Sequence, residues 1–386
     1  MHRDTLLARP AVCCGAPGIP AAGPSGASAH LRGIAEALDA VALVTPRHHD
    51  RRGIAEPLLG AAPVGTDIGV GRTRVRNTGV PGWPSWLGRW RDQVEVLAAR
   101  RVADAVAELG PSLVWERHAL FADVGLRVHA ATRAPWILEV NAPPVLERTR
   151  WEHVRDPARA ARWERDVVGA APLVIAVSRW LAAWAQSLGA PNVRWIPNGA
   201  RSHAGDRTRA RAALRLEEDN LVLGFLGSAR AWHGVERVAD LLDALPHARA
   251  LVVGEARVDH PRAHNVGVVP EAQVPDLVAA MDVGLAPYTE DAPPWLCPLK
   301  ILHYRAQGVP VLATDVGDAA ALVDAAAGIV VPRWTLTDAA DSVRALARRG
   351  RIAPWVRTWR SVVDEALDAL ASPPTVVGTI PQNAPP

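Results

Sequence analysis

Residues 221–254, LVLGFLGSARAWHGVERVADLLDALPHARALVVG, decide the fold. An apolar run at 221–227 ends in a glycine turn. An amphipathic stretch follows at 235–245, then a second apolar run at 250–254. Strand, glycine turn, helix, strand is the unit from which parallel sheets are built, with helices covering both faces. Downstream the alternation continues through the runs 283–288, 309–315 and 328–332, with a helix expected at 273–281. Upstream, the runs 41–45, 112–115, 136–140 and 173–177 are short, apolar and bounded by turn residues, as buried strands are. Between them, Trp86, Trp90, Val94, Leu97, Val102 and Leu109 recur at three-, four- and five-residue steps, which predicts a helix over 85–109. The fold class is therefore α/β, with two doubly wound Rossmann-like domains and a cleft between them.

The domain division follows from punctuation and length. A chain of 386 residues suits two domains with full-sized cores. Pro197-Asn198-Gly199 opens a polar, glycine-containing join. The expected boundaries are 1–198 and 199–352, with a last helix at 353–371 and a proline-rich, disordered tail at 372–386. No window is apolar enough to span a membrane, and the first residues lack the apolar core and cleavage site of a secretory signal. With 3 cysteines there is no disulfide framework and no metal-ligand spacing, so a reducing cytosol is the expected compartment.

Charge is distributed unevenly. Residues 1–200 hold 24 Arg against 18 acidic residues, whereas residues 201–386 hold 19 basic and 22 acidic groups. That excess suits an anionic partner or surface for the first half, but no basic face with aromatic spacing points to nucleic acid. Of the 43 basic residues only Lys300 is a lysine. Where arginine has replaced lysine everywhere else, one retained lysine hints at a need for a compact ammonium.

Three stretches could carry chemistry. The loop 23–38, GPSGASAHLRGIAEAL, follows the apolar run 11–14 and opens a helix. Gly23 and Gly26 leave backbone N–H groups free to approach an anion, although such glycines also serve turns alone. His30 lies in the helix's first turn, where a capping or core histidine is the ordinary reading. In GFLGSARAWHG (224–234), Ser228, Arg230 and His233 gather at the turn, and Arg230 offers a forked donor suited to phosphate. In 293–315, PPWLCPLKILHYRAQGVPVLATD, Lys300 stands at the entry of a short helix. His48-His49-Asp50 reads as a solvated loop, since adjacent residues rarely make a tetrahedral metal site. In 71–93 arginine alternates with tryptophan. That mixture suits a membrane interface, but Trp86 and Trp90 lie on the apolar stripe of the expected helix, where a packed core is the ordinary reading.

The ordered set of segments resembles the GT-B-fold retaining glycosyltransferases of family 4. It runs from the N-terminal glycine loop through 176–200 (AVSRWLAAWAQSLGAPNVRWIPNGA), the 221–254 unit and 266–288, to 298–331 (PLKILHYRAQGVPVLATDVGDAAALVDAAAGIVV). The resemblance implies a nucleotide-sugar donor bound mainly by the C-terminal domain, with the acceptor on the N-terminal domain. It also implies transfer with retained anomeric configuration and no metal or other cofactor. Residue by residue, Gly26, Gly227, Ser228, His233, Val268, Leu296, Cys297, Pro298, Leu299 and His303 are implied on the donor side. Arg230 and Lys300, with His233, would carry the diphosphate charge. Glu139 and Asn141 are implied near the reacting sugar, and His30, Glu116 and Arg117 on the acceptor side. For Glu139 and Arg117 a buried ion pair that only orders the loops is an equal reading. Many family members carry two glutamates eight positions apart where this chain has Trp295 and His303. The expected function is transfer of a sugar to an acceptor hydroxyl in cell-envelope glycan, glycolipid or natural-product glycoside synthesis. The acceptor would be a small molecule, a glycan or a lipid-linked chain, handled in the cytoplasm or peripherally at the inner face of the plasma membrane. His303 and Arg305 leave the alternative of a GT-B-shaped binding or scaffold protein without catalysis.

Overall fold

Nearly every short apolar run becomes a buried strand in a parallel sheet, in a computed structural model that describes residues 11–15, 19, 25–40, 42–45, 67–70, 73–77, 91–152, 154–201 and 203–372. The chain divides into two compact units, Met1–Pro197 with Arg360–Pro386, and Asn198–Trp359. Gly23, His48-His49-Asp50, Trp86, Trp90 and the tail beyond 372 lie outside the described residues.

The first unit contains β1 (Ala11–Cys14), β2 (Ala42–Thr45), β3 (Asp67–Val70), β4 (Thr73–Asn77), β5 (Leu113–Arg117), β6 (Trp136–Val140), β7 (Leu173–Ala176) and β8 (Val193–Trp195). They form one sheet in the order β3-β4-β2-β1-β5-β6-β7-β8, parallel except for the β3–β4 edge pair. That edge pair had no counterpart in the apolar runs. The helices are α1 (Gly26–Ala37), α2 (Arg91–Glu108), α3 (Val124–Thr132), α4 (Pro144–Trp151), α5 (Pro157–Ala170) and α6 (Arg179–Ser187). Several start where a side-chain oxygen takes up an orphan N–H of the first turn. Ser25 accepts from Ser28 N (3.2 Å), Asp156 from Arg159 N (2.9 Å) and Ser178 from Leu181 N (3.3 Å).

In the second unit β9 (Leu221–Leu226), β10 (Ala248–Val253), β11 (Ala263–Gly267), β12 (Val283–Ala286), β13 (Val311–Thr314) and β14 (Gly328–Val331) form a fully parallel sheet, ordered β11-β10-β9-β12-β13-β14. Counted from its own first strand, that is the Rossmann order 3-2-1-4-5-6, whose direction reverses between β9 and β12. Its helices are α7 (Arg207–Ala213), α8 (Arg237–Ala244), α9 (Val274–Ala279), α10 (Leu299–Ala306), α11 (Ala319–Leu322) and α12 (Leu336–Arg349). Leu223, Phe225, Val252, Val283, Leu285 and Leu312 of the sheet pack with Val238, Leu241, Leu242, Val343 and Leu346 of the helices into one dry core.

The helix α13 (Trp359–Ala371) ends the described chain, starting six residues later than the sequence pattern suggests. Backbone pairing explains the delay. Ile352 N bonds Gly308 O at 3.0 Å, Trp355 N bonds Arg305 O at 2.9 Å, and Arg357 O accepts from Ala200 N at 2.7 Å. Those bonds hold residues 352–357 against the second unit and leave Pro354 outside any helix.

The packing of α10 sets the reversal point of the second sheet. Gly284 of β12 has no side chain because the Tyr304 ring lies there; a Cβ would stand 2.4 Å from Tyr304 Cγ. The Tyr304 hydroxyl accepts from Leu226 N at 2.9 Å and faces the carbonyls of Gly224 (3.2 Å) and Leu285 (3.1 Å). One phenol thus fastens β9 to β12 where their direction of progression diverges. Tyr304→Phe should lower unfolding stability by about 1–3 kcal/mol, since it leaves a buried N–H unpaired. Urea denaturation should show the midpoint falling at constant slope.

Candidate functional site

Ligands of open α/β sheets bind beyond the carboxyl ends of the strands, at the point of reversal. In the second unit that point is formed by Gly227-Ser228 after β9 and Pro287-Tyr288 after β12, and Lys300 in the first turn of α10 reaches Gly227. Gly227 N bonds Val253 O at 2.9 Å, and Gly254, with φ +117°, tucks beneath it where a Cβ would meet Gly227 O. A Cβ on Gly227 would lie 3.3 Å from Lys300 Nζ and 3.1 Å from His233 Nδ1, so the three expected donor-side residues converge.

Lys300 is buried, with its Nζ 4.0 Å from the centre of the Phe225 ring and 4.9 Å from that of Tyr288. The ammonium has no hydrogen-bond partner among the described residues. Burial lowers its pKa to about 7. Aromatic faces compensate a buried cation only in part. The chain holds 2 Phe and 2 Tyr, and Phe225, Tyr288 and Tyr304 all serve this one place. The scarcity of those residue types was the signal in the sequence that reasoning from glycine turns passed over.

His233 sits in a 3₁₀ turn (Ala231–His233), with Nδ1 3.1 Å from Ser228 O and its ring edge-on to Trp232 at 4.1 Å. Burial, then the charges of Lys300 and Arg230, lower its pKa to about 3. Without a ligand the imidazole is therefore neutral, and it holds the Ser228 loop in shape. Arg230 is exposed, two residues beyond Ser228. Leu296 and Leu299 are half-buried, and Cys297 and Pro298 are buried in the approach to α10. The Cys297 thiol faces Asn198, and burial raises its pKa to about 12, so the thiol itself is unreactive. Val268 is half-buried just past β11. His303 is half-buried and neutral, its pKa lowered to about 4 by burial, with Glu271 raising it and Arg201 lowering it. Arg305 has a local explanation: it stacks on Trp355 at 4.2 Å and bonds Leu322 O at 2.7 Å.

In the first unit the carboxyl ends of β5 and β6 carry a buried polar network. Glu139 pairs with His30 Nε2 through one oxygen and accepts from Trp115 Nε1 at 2.8 Å through the other. Arg117 Nη1 stands 3.1 Å from His30 Nδ1. Burial alone would raise the Glu139 pKa, but His30, Arg117 and Trp115 together bring it down to about 2. Both oxygens of this carboxylate, in a residue 3% exposed, are engaged inside the unit, an arrangement that orders the strand ends. The same holds for buried His30, although Arg117 reaches Glu139 through His30 and does not pair with it directly in the bonds described. Glu116 is likewise buried: it accepts from Val124 N (2.9 Å) and Gly125 N (2.8 Å), capping α3. Burial pushes it up to about 8 against those two bonds. Asn141, just past β6, has an Nδ2 without a partner among the described residues. Gly26 is exposed at the first position of α1, where N–H groups are unsatisfied by the helix itself. Among the described residues no helix is long and apolar enough to cross a membrane, and no group of three or more His, Cys, Asp or Glu could hold a metal ion.

No curated protein sequence matches the chain. Among solved structures, the fold is similar to sucrose-phosphate synthase from Thermosynechococcus elongatus, at TM-score 0.66 and 19% identity over 94% of each chain. It is similar to HepE from Anabaena in complex with UDP-glucose, at TM-score 0.63 and 18% identity over 94% of this chain and 96% of that one. It is also similar to the trehalose-6-phosphate synthase OtsA, at TM-score 0.57 and 12% identity over 94% and 95%. These likenesses fix the fold as GT-B-like. The family described as "Glycosyl transferases group 1" matches residues 220–349, the span that holds Gly227, His233 and Lys300. Residues 220–349 thus carry a region of the glycosyl transferases group 1 type, within a chain whose fold is GT-B-like.

Proposed function

We propose that the protein transfers a sugar from a nucleoside-diphosphate sugar to an acceptor hydroxyl, with retention of the anomeric configuration. The observation that carries this reading is the buried, unpartnered ammonium of Lys300 at the reversal point of the second sheet. A diphosphate is the ligand such a group needs: it returns to the ammonium the opposite charge that burial has withheld. HepE, of similar fold, is described in complex with UDP-glucose, which supports the same donor class here.

In this reading Lys300 and Arg230 hold the diphosphate while the Gly227-Ser228 backbone approaches it, and neutral His233 keeps that loop in place. As the glycosidic C–O bond breaks, negative charge grows on the leaving phosphate, and the two cations stabilise it more in the transition state than in the ground state. The acceptor hydroxyl forms the new C–O bond on the face the phosphate leaves, and its proton passes to the departing phosphate oxygen. In the first unit Asn141, with an Nδ2 that has no partner among the described residues, is the residue we place near the reacting sugar, where its amide would position the acceptor hydroxyl. The acceptor classes we favour are glycans, glycolipids and natural-product aglycones.

Donor hydrolysis and calorimetry with UDP-, GDP- and ADP-sugars test the reading. Lys300→Met and Arg230→Ala should each weaken diphosphate binding about ten- to hundredfold, and absence of binding by every donor overturns it. Proton linkage gives a sharper measurement. A bound diphosphate raises the pKa of Lys300 from about 7, so binding at pH 8 should take up most of one proton, and Lys300→Met should abolish the uptake. Calorimetry in buffers of different ionisation enthalpy reads this directly.

Stability without ligand should respond in a defined direction. Unfolded Lys300 keeps its proton to about 10.5, whereas the folded side chain loses it near 7. Between those values the unfolded state binds more protons, so this lysine's contribution to stability improves as pH rises; below pH 7 its penalty is complete. Lys300→Met should therefore be more stable than the parent by on the order of 3 kcal/mol at pH 6. That advantage should shrink towards pH 9.5 in paired urea denaturations.

A further inference from the structure

The loop after β12 is held by one guanidinium. Arg237, the half-buried first residue of α8, donates from Nη1 to Tyr288 O at 2.8 Å and to Pro287 O at 3.2 Å. Its guanidinium bonds among the described residues all go to these two carbonyls, and its Cζ lies 5.9 Å from the centre of the Trp334 ring. A cation in the first turn of a helix opposes the helix dipole, so an arginine at this place does not stabilise α8 itself. Two further contacts tie the same loop to the turn before α8. Thr289 N donates to Trp232 O at 3.1 Å. Gly234, with φ +66°, leaves room for Pro287 O, which a Cβ would strike. The loop therefore cannot shift without leaving Arg237, and with it would move Tyr288, whose buried ring is centred 4.9 Å from Lys300 Nζ.

We propose that Arg237 is a positioning residue for the Lys300 site: by holding the carbonyls of Pro287 and Tyr288 toward α8, it fixes the Tyr288 ring over the ammonium and withholds the loop's oxygens from it. The inference rests on the reading of Lys300 as the contact for a diphosphate. Backbone carbonyls are the acceptors a buried ammonium would otherwise take, since each has two lone pairs and is always present. The two carbonyls of this loop are engaged instead by a charged donor, and such bonds are roughly twice as strong as neutral ones. Lys300 is left with ring faces alone, which compensate its burial in part. The titratable groups beside it, His233 and Tyr288, are neutral near pH 7, so neither supplies a counter-charge. Burial is the cause of the lowered Lys300 pKa, without a contribution from the charge of Arg237. The influence of Arg237 on an anion thus passes through the loop and through Lys300.

With one lysine in the chain, NMR of the full protein labelled with carbon-13 lysine shows a single side-chain spin system, whose titration is read without any ligand. In about 0.5 M salt, which screens changes of distant charge, the parent midpoint should lie near pH 7. Arg237→Met should move it up by about one pH unit or more, because a freed carbonyl or water then reaches the ammonium. Arg237→Lys, which keeps charged donors, should return it most of the way. Arg237→Gln should fall between, and it replaces the methionine variant should that one not fold. Calorimetry with UDP and with pyrophosphate should show binding to Arg237→Met weakened about tenfold, with proton uptake at pH 8 reduced in step. An unmoved midpoint overturns the proposal, as does a parent midpoint near the ordinary lysine value. Lost pyrophosphate affinity at an unmoved midpoint would make Arg237 a direct anion contact and overturns it as well. Failure of the parent to bind either ligand, with the midpoint moving as expected, removes the donor reading and leaves the control of Lys300 by Arg237 standing.

Discussion

A single ammonium confined against two aromatic faces governs the second unit. Lys300 lies over Phe225 and Tyr288 with no oxygen to receive its protons among the described residues. Such an arrangement is unfavourable for the isolated fold and useful only to a molecule that must attract an anion. The surrounding structure keeps the arrangement from relaxing. Tyr304 locks β9 to β12, Gly284 admits its ring, and Gly254 lets Gly227 lie flat over the end of β10. Rigid support thus keeps one buried charge without a hydrogen-bond partner among the described residues.

The first unit handles buried charge in the opposite way. Glu139, His30, Trp115 and Arg117 satisfy one another, and Glu116 is consumed by the first turn of α3. Closed networks of this kind order the loops at the strand ends and leave little residual attraction for a ligand. The contrast separates two roles for buried polar residues that look alike in a sequence: those whose partners come from the chain, and those whose partner must come from outside.

The fold was legible because parallel strands buried on both faces write themselves as apolar runs, and because 221–254 contains a complete strand–helix–strand unit. The edge pair β3–β4 was not, since edge strands need no continuous apolar run. The delayed start of α13 was also hidden, because it depends on carbonyls of Gly308 and Arg305 that are distant in sequence. Within the site, the place of Gly227 and Lys300 could be read from turn and composition, but charge states could not. Nothing in the one-letter code says that His233 is neutral or that both oxygens of Glu139 are occupied, because burial and partner geometry decide those facts.

A lysine whose proton leaves near neutrality is also a nucleophile. Every other basic side chain of this protein is a guanidinium or an imidazole, so Lys300 is its sole side-chain primary amine. An electrophile shaped like a pyrophosphate ester, such as a periodate-oxidised nucleotide bearing aldehydes, would find one side-chain amine to capture, a substantial fraction of it in the reactive free-base form near neutral pH. Acylating reagents too bulky for the Gly227 turn would find no side-chain amine within reach.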